Sequence, residues 1–354
     1  MDLKNLREKI DAVDNQILKL LNQRTRAVQE IAKLKAKAKQ EFYAPHREKK
    51  ILERLLKKNK GPLPNEALRG ILQEILNVSR SIQKKLRVAY LGPPATFTHL
   101  AAVKNFGKFA DFTSAKSIAD VFSEVEKGRS DYGVVPIENS TEGVINHTLD
   151  MFVASELKIC SELLLEISHN LLSRARELGE IKRIYSHPQA IAQSRNWIED
   201  SLPNAELVET SSTAKAAELA EKDSEGGAIA SRLAASLYDL KIIAEGIEDS
   251  VQNYTRFLVI GKNYPGKSGQ DKTSILFSVK DRVGALHDML IPFRENKINL
   301  TKIESRPTKL RAWEYIFFVD FAGHVEEENV KRALQQLEKE CLFLKILGSY
   351  PRSE

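Results

Sequence analysis

The chain has 354 residues, of which 42% are hydrophobic, 29% charged and 7% aromatic, a composition that excludes a collagen, wholesale disorder and a disulfide-dense mini-protein. The two cysteines, Cys160 and Cys341, have no metal or disulfide spacing, and a reducing cytoplasm is the expected setting. No window holds 18 uncharged apolar residues, and the N-terminus is charged from its second residue, so neither a membrane span nor a secretory signal is expected. The net charge of +6 is uneven: residues 1–86 carry 21 Lys and Arg against 10 Asp and Glu, a net of +11, and the other 268 residues carry 33 against 38, a net of −5. A basic segment of this kind suits nucleic acid, a membrane surface or a small polyanionic substrate, and composition does not choose among them.

In chain order, residues 1–86 read as helix. Leu3, Leu6, Ile10, Val13, Ile17, Leu20 and Leu21 fall at three- and four-residue spacings, continued by Val28, Ile31 and Leu34. No Gly or Pro precedes Pro45, so one helix is predicted from about residue 2 to about residue 40, roughly 58 Å long at 1.5 Å per residue. So short a segment cannot cover the apolar stripe of such a rod, and a second chain is expected to do so. Pro45 suits the first turn of a second helix ending near residue 59. A turn at 61–64 follows, and Asn65 is placed to cap a third helix reaching about residue 85.

From residue 87 short apolar runs alternate with helical stretches. Strands are predicted at 88–92, 132–138, 181–186, 205–209, 226–231 and 256–261, and helices at 115–127, 188–200 and 213–221. That alternation argues for an α/β body with largely parallel sheets, as one domain or two lobes. Residues 264–272 are a polar, Gly- and Lys-rich linker. The order strand 273–279, helix 285–296, strand 300–305, strand 314–321, helix 326–340, strand 343–349 is βαββαβ, the ferredoxin-like arrangement.

On the first helix Arg24 and Lys35 are eleven residues apart, three turns with about 20° left over, and share a face. Ser79 and Gln83 share another at a spacing of four. Arg7, seventeen residues before Arg24, points roughly 100° away, so in a straight helix it cannot reach the same pocket, although it can reach that of a partner chain. A coiled coil with solvated charges has the same periodicity. The α/β body carries no GxSxG, P-loop, GxGxxG or HExxH, and the seven histidines form no ligand cluster. It does carry five loops rich in hydroxyls and amides: 92–99, 136–143, 186–190, 209–213 and 253–257. Any one of these fits turn chemistry. Five together point to a small anionic ligand held by hydroxyls, backbone N–H groups and helix N-termini.

Specific motifs across the chain then resemble one family, the bifunctional chorismate mutase–prephenate dehydratases of phenylalanine biosynthesis with a C-terminal ACT regulatory domain. LREKIDAVDNQILKLLNQR (6–24), Lys35 and PHREKKILERL (45–55) resemble the all-helical chorismate mutases. VPIENSTEG (135–143), YSHPQA (185–190) and NYTRF (253–257) resemble the dehydratases, and GALH (284–287) and ESRP (304–307) the phenylalanine-binding motifs of the regulatory domain. The resemblance implies a helical mutase domain over 1–86 that forms an intertwined dimer. It implies a two-lobed α/β dehydratase domain over 87–264, like the periplasmic binding proteins, and a ferredoxin-like ACT domain over 272–354.

The same resemblance assigns roles. Arg7 of a partner chain and Arg24 bind the carboxylates of chorismate, Lys35 and Gln83 donate to its ether oxygen, Arg47 helps hold a carboxylate, Glu48 meets the ring hydroxyl, and Ser79 is a further contact. Ala44 stands where some members have Asp. In the dehydratase, which takes carbon dioxide and water from prephenate, Thr255 donates to the departing hydroxyl. Glu138, Asn139, Ser186, Ser212, Thr213, Arg256 and Phe257 are further candidates for the cleft. Ala95 stands where the family usually has Gly, a departure that bears on any role needing positive φ. L-phenylalanine is expected between two regulatory domains, with Gly284, Ala285 and Leu286 from one chain and Asn299, Leu300 and Ser305 from the other. No cofactor or metal is implied. The partners are chorismate, prephenate, phenylalanine and a second copy of the chain, in a dimer or a higher oligomer, with no nucleic acid and no membrane. Two other readings are a dehydratase with a degenerate mutase domain and an amino-acid-sensing regulator.

Overall fold

The computed structural model describes residues 2–250, 252–279, 282–307 and 315–353. The chain forms two compact units, Met1–Leu86 with Phe106–Asp111, and Arg87–Asn105 with Phe112–Glu354. No described helix is long and apolar enough to cross a membrane.

The first unit is helical, with α1 (Leu3–Lys37), α2 (Pro45–Lys58) and α3 (Asn65–Gln83). With no Gly or Pro to interrupt it, α1 runs uninterrupted, and Lys35 and Lys37 in its last turn complement the helix dipole. Pro45 opens α2 as expected. Asn65 does not cap α3: Pro64 holds the cap position, and Asn65 Oδ1 instead accepts from Asn59 Nδ2 at 2.8 Å. Val28 is the one buried residue of α1. Leu3, Leu6, Ile10, Val13, Ile17 and Leu20 lie between 42% and 63% exposed, so the heptad-like stripe has no cover within its own chain.

The second unit begins with β1 (Arg87–Leu91), α4 (Phe97–Phe106), β2 (Asp111–Ala115), α5 (Ile118–Glu126), β3 (Tyr132–Asn139), β4 (Gly143–Val144), α6 (Asn146–Ala154) and β5 (Lys158–Glu166). A second lobe follows: β6 (Asn170–Ser173), β7 (Arg183–Ser186), α7 (Pro188–Gln193), α8 (Arg195–Ser201), β8 (Glu206–Glu209), α9 (Thr213–Ala220), β9 (Gly226–Ala230), α10 (Arg232–Leu237) and β10 (Lys241–Ala244). β11 (Tyr254–Gly261) then returns to the first lobe. The first sheet has the order β2-β1-β3-β11-β5 with β4 on β3, and the second the order β10-β6-β9-β7-β8.

Both sheets are mixed, which corrects the expectation of largely parallel ones. β1–β3, β7–β8 and β7–β9 pair parallel. β3–β11, β11–β5, β6–β9 and β10–β6 pair antiparallel. The physical reason is connectivity: the chain leaves the first lobe after β5 and re-enters it as β11 running the other way. The expected helix over 188–200 breaks at Ser194, which ends α7 and precedes α8.

The C-terminal part is β12 (Asp271–Ser278), α11 (Ala285–Glu295), β13 (Leu300–Pro307), β14 (Tyr315–Ala322), α12 (Glu328–Glu340) and β15 (Phe343–Pro351), the predicted βαββαβ order. Glu314, the expected first residue of its third strand, lies outside the described residues. The sheet has the antiparallel order β13-β14-β12-β15 and uses both faces. Ile275, Phe277, Val319 and Phe321 pack with Met289, Phe293 and Leu337 of its own helices. The alternate residues Leu276, Phe318, Leu347 and Tyr350 join Val135, Phe152, Ile159 and Leu258 in the core of the first lobe. Gly348 permits this approach, because a Cβ there would lie 2.3 Å from the Ile159 carbonyl oxygen. Polar ties ring the junction, among them Arg306 to Asp150 at 3.0 Å and Lys345 Nζ to the Ser155 carbonyl at 2.7 Å.

Candidate active sites

A cavity of about 490 Å³ lies among α1, α2 and α3, within the usual range for small-molecule sites. Arg24, Lys35, Ala44, Arg47, Glu48, Ser79 and Gln83 all line it, so the structure brings together every mutase candidate but one. Arg7 is exposed on α1 outside the lining, as the helical angle between it and Arg24 requires. Arg24 Nη1 donates to Ser79 Oγ, and Gln83 Nε2 donates to the Ser79 carbonyl at 3.2 Å. Gln83 Oε1 is buried without a partner among the described residues. Lys35 Nζ donates to the Glu41 and Phe42 carbonyls at 3.0 and 3.3 Å.

Two further cations, Arg54 and Arg80, line the cavity and were not foreseen. Arg54 had a signal, because seven residues after Arg47 is two turns on the same helix face. Arg80 had none. It is buried, reaches Glu48 across α2 and α3 at 2.8 and 3.1 Å, and stacks over Tyr43 with its Cζ 4.9 Å from the ring centre. Burial lowers the Lys35 pKa, against the opposing pull of Glu48 and Glu41, and burial likewise lowers that of Arg24. Five cations thus face one carboxylate, Glu48, already claimed by Arg80. Such a cavity stabilises an anion that brings more than one negative charge.

The second site is a cavity of about 300 Å³ between the α/β lobes. Asn139, Thr255 and Phe257 reach it from the first lobe, and Ser212 and Thr213 reach it from the second. Thr96, Phe97 and Thr98 bring the start of α4 to it, and Ser212, whose hydroxyl accepts from Lys215 N at 3.1 Å, caps α9 at its edge. Ala95 adopts the left-handed φ of +70° that the departure from Gly left open. It is fully buried, and its carbonyl accepts from Ser231 Oγ at 3.0 Å.

Three dehydratase candidates do not line the cavity. Ser186 is fully buried and donates to the Ile229 carbonyl at 2.8 Å. Arg256 and Glu138 face the C-terminal sheet, because successive strand residues point to opposite faces. Cleft residues missed from the sequence are Asn253, Gln193 and His169. Asn253 had a signal in the NYTRF run, whereas Gln193 and His169 are isolated polar residues with no spacing to mark them.

These residues form one hydrogen-bonded chain. Asn139 Nδ2 donates to Thr255 Oγ1 and to Asn253 Oδ1, both at 2.8 Å. Asn253 Nδ2 donates to Gln193 Oε1 at 3.1 Å, and His169 Nε2 lies 2.8 Å from the same oxygen. Gln193 Oε1 can only accept, so the His169 proton sits on Nε2. His169 Nδ1 is buried with no partner among the described residues. Burial pushes the His169 pKa down, against Gln193 and Glu248. Because Thr255 Oγ1 accepts from Asn139, its own O–H is free to donate into the cavity. Among the described lining residues none is Lys or Arg, while Glu142, His169 and His187 are present, so a carboxylate here meets hydroxyls, amides, imidazoles and the ends of α4 and α9 rather than a Lys or Arg cation.

In the C-terminal part Gly284 precedes α11 with φ +78°, a conformation that L side chains rarely adopt. Ala285 and Leu286 form the first turn of α11, and Asn299 and Leu300 stand at the start of β13. Ser305 lies on the exposed face of β13, an edge strand. Among the described residues no group of three or more His, Cys, Asp or Glu is placed to hold a metal ion.

The chain thus holds two separate cavities, one rich in cations and one with no Lys or Arg in its described lining, and its fold is that of a multifunctional enzyme. Family models match in the same order: chorismate mutase type II over residues 6–84, prephenate dehydratase over 88–265 and the ACT domain over 273–339. The chain is 50% identical to the bifunctional chorismate mutase/prephenate dehydratase of Aquifex aeolicus, over 99% of this chain and 98% of that one. It is 44% identical to the Pseudomonas aeruginosa protein of the same description, again over 99% and 98%. The crystal structure of prephenate dehydratase from Arthrobacter aurescens in complex with L-Phe is 36% identical, with a TM-score of 0.70, covering 75% of this chain and 90% of that one. The chain belongs to the bifunctional chorismate mutase/prephenate dehydratase family. It converts chorismate to prephenate and prephenate to phenylpyruvate.

The His169 geometry predicts an NMR result. Its imidazole is the Nε2–H tautomer at pH 7 and titrates below the ordinary histidine midpoint of about 6.5. A midpoint at or above that value, or an Nδ1–H tautomer, would contradict the network.

Proposed function

We propose that the helical cavity is the mutase site and the interlobe cavity the dehydratase site, with the division 1–86, 87–264 and 272–354 among mutase, dehydratase and regulatory domains. In the mutase, Arg24 and Arg47 with a partner's Arg7 hold the two chorismate carboxylates, and Ser79 orients Arg24. Lys35 and Gln83 meet the ether oxygen, with Glu48 at the ring hydroxyl. Gln83 Nε2 carries two N–H groups, so one keeps the Ser79 carbonyl and the other meets the ether oxygen. The rearrangement is pericyclic, and the protein contributes restriction of the substrate and stabilisation of charge on the breaking C–O bond. The uncovered stripe of α1 supports an intertwined pair, since two copies lay heptad-spaced residues against one another.

For the dehydratase, the Asn139 to Thr255 hydrogen bond carries the reading. Prephenate loses its ring carboxylate as carbon dioxide while the C–O bond to the ring hydroxyl breaks and the ring becomes aromatic. Thr255 donates its proton to the departing oxygen, giving water. The Asn139 amide stabilises the negative charge that develops on Oγ1, and solvent returns the proton. The absence of Lys and Arg from the described lining fits this chemistry, because a cation on the departing carboxylate would stabilise the ground state more than the transition state. L-phenylalanine, held by Gly284, Ala285 and Leu286 of one chain and Asn299, Leu300 and Ser305 of another, lowers dehydratase turnover. The setting is the cytoplasm.

Three measurements test these assignments. Lys35→Ala abolishes mutase turnover and leaves dehydratase turnover intact, and Thr255→Ala does the reverse, lowering turnover by about 10² or more. Loss of both activities in either variant would sink the separate sites. Arg7→Ala and Lys35→Ala chains, each inactive as a mutase, regain about one quarter of wild-type mutase activity when co-refolded, because each mixed dimer holds one intact site. No recovery would mean that Arg7 serves its own chain or none. Gly284→Val forces a β-branched residue into positive φ and relieves phenylalanine inhibition. Unchanged inhibition at unchanged phenylalanine concentration would remove Gly284 from the site.

A further inference from the structure

A buried layer of charge lies directly behind the dehydratase cleft. Thr255 and Arg256 are consecutive on β11, and Asn139 and Glu138 are consecutive on β3. The register pairs Thr255 with Asn139 and Arg256 with Glu138. Thr255 and Asn139 line the cleft, and the other two point away from it into the regulatory sheet. Arg256 is 5% exposed. Its Nε lies 2.8 Å from Glu162 Oε2, its Nη1 2.7 Å from Asp320 Oδ2 and its Nη2 3.0 Å from the Tyr350 hydroxyl. Glu138 pairs with Arg256 at 3.6 Å, and its Oε2 lies against Nζ of Lys302 of β13, a buried ammonium with no hydrogen-bond partner among the described residues. Lys272 pairs with Glu162 at 2.8 Å, and Ser274 Oγ donates to Asp320 Oδ1 at 2.5 Å.

The two sheets contribute opposite charge to this layer. Arg256, Glu138 and Glu162 give the dehydratase side a net of −1, and Asp320, Lys272 and Lys302 give the regulatory side a net of +1. Glu304, on β13 beside Lys302, adds a further negative charge that acts on Lys302, and charges at such distances away from water interact strongly. A shift of β13 or β14 must therefore be followed by β11 and β3 or leave charge unpaired. The layer also has room to rearrange. A cavity of about 20 Å³ touches Arg256, Ser274, Lys302 and Asp320, space for about one water molecule. The β11–β3 ladder has its irregularity between Arg256 and Phe257. Other ties across the junction, such as Lys345 to Glu156 at 3.0 Å, touch neither Thr255 nor Asn139.

We propose that Arg256 and Glu138 are positioning residues for the dehydration, and that Lys302 and Asp320 of the regulatory sheet set their position, so that phenylalanine acts on Thr255 and Asn139 through this ion-pair cluster. Neither Arg256 nor Glu138 touches substrate; each holds the catalytic neighbour on its own strand. The regulatory half of the inference rests on the phenylalanine reading above.

The test uses the full-length chain, with prephenate kinetics, phenylalanine titration of turnover, and phenylalanine binding by calorimetry. Lys302→Met lowers dehydratase kcat about tenfold with KM within about twofold, the signature of lost transition-state positioning. It binds phenylalanine within about twofold of wild type, yet saturating phenylalanine changes its turnover by less than about twofold. Lys302→Arg restores both properties, and Glu156→Gln, which removes an ion pair outside the cluster, behaves as wild type. Two results overturn the proposal: Lys302→Met with wild-type kcat and inhibition, or loss of inhibition that follows loss of phenylalanine binding. Asp320→Asn, isosteric and neutral, gives the same reading if Lys302→Met does not fold. If the wild-type chain binds no phenylalanine, the regulatory reading is what fails, and the kcat and KM of Asp320→Asn alone decide whether the cluster positions Thr255.

Discussion

A β-strand sends successive side chains to opposite faces, and the dehydratase half of this protein depends on that alternation at β11. Thr255 and Phe257 face the interlobe cavity. Arg256 and Leu258 face the regulatory sheet, Arg256 in the ion-pair layer and Leu258 in the shared apolar core. One strand therefore lines the interlobe cavity on one side and packs on the ACT sheet on the other. The arrangement is costly to disturb, because removing one partner of a buried ion pair typically costs about 3–5 kcal/mol by leaving a charge uncompensated. It also binds the two sheets into a single core, with Leu276, Phe318 and Tyr350 packed among Phe152, Ile159 and Leu258. A ferredoxin-like domain with two helices needs only one face for its own core, and here the other face is spent on the enzyme.

On the proposed assignment the two cavities meet similar dianions with different electrostatics. The helical cavity is lined by Arg24, Lys35, Arg47, Arg54 and Arg80. In the rearrangement both carboxylates survive, so gripping them firmly in ground state and transition state alike restricts the substrate without opposing the reaction. The interlobe cavity lines its walls with hydroxyls, amides and the ends of α4 and α9. There one carboxylate must leave, and a weaker, dipolar hold does not anchor the charge that has to disperse. The orientation of the cavity's polar groups is settled by a chain of amides from His169 to Asn139, whose end leaves the Thr255 hydroxyl as a donor.

Much of this was legible in the sequence where the signal is local. The three helices of the first unit, the βαββαβ order and the face shared by Arg24 and Lys35 follow from spacing, Pro and Gly. The sheets were read less well. β5 (KICSELLLE) has consecutive leucines that fit a helix as well as a strand, β2 is a short run with few apolar residues, and β10 is only four residues long. Sheet direction was missed because it depends on where the chain crosses between lobes. Arg256 and Glu138 were placed in the cleft because they adjoin Thr255 and Asn139 in sequence, and adjacency on a strand means opposite faces.

What the sequence determined by itself was the three helices of the first unit, the βαββαβ order of the last part, and an apolar stripe on α1 too long for its own chain to bury. These depend on periodicity and local conformational preference, which neighbouring residues set. Tertiary structure alone decided that Arg80 would reach Glu48, that Gln193 and His169 would complete the Thr255 network, and that the regulatory sheet would take charge of Arg256. Each of those pairings joins residues from different elements of the chain. Such contacts arise from the burial of apolar faces and the matching of the buried charge that burial brings with it, and no local pattern records which distant partner will meet them.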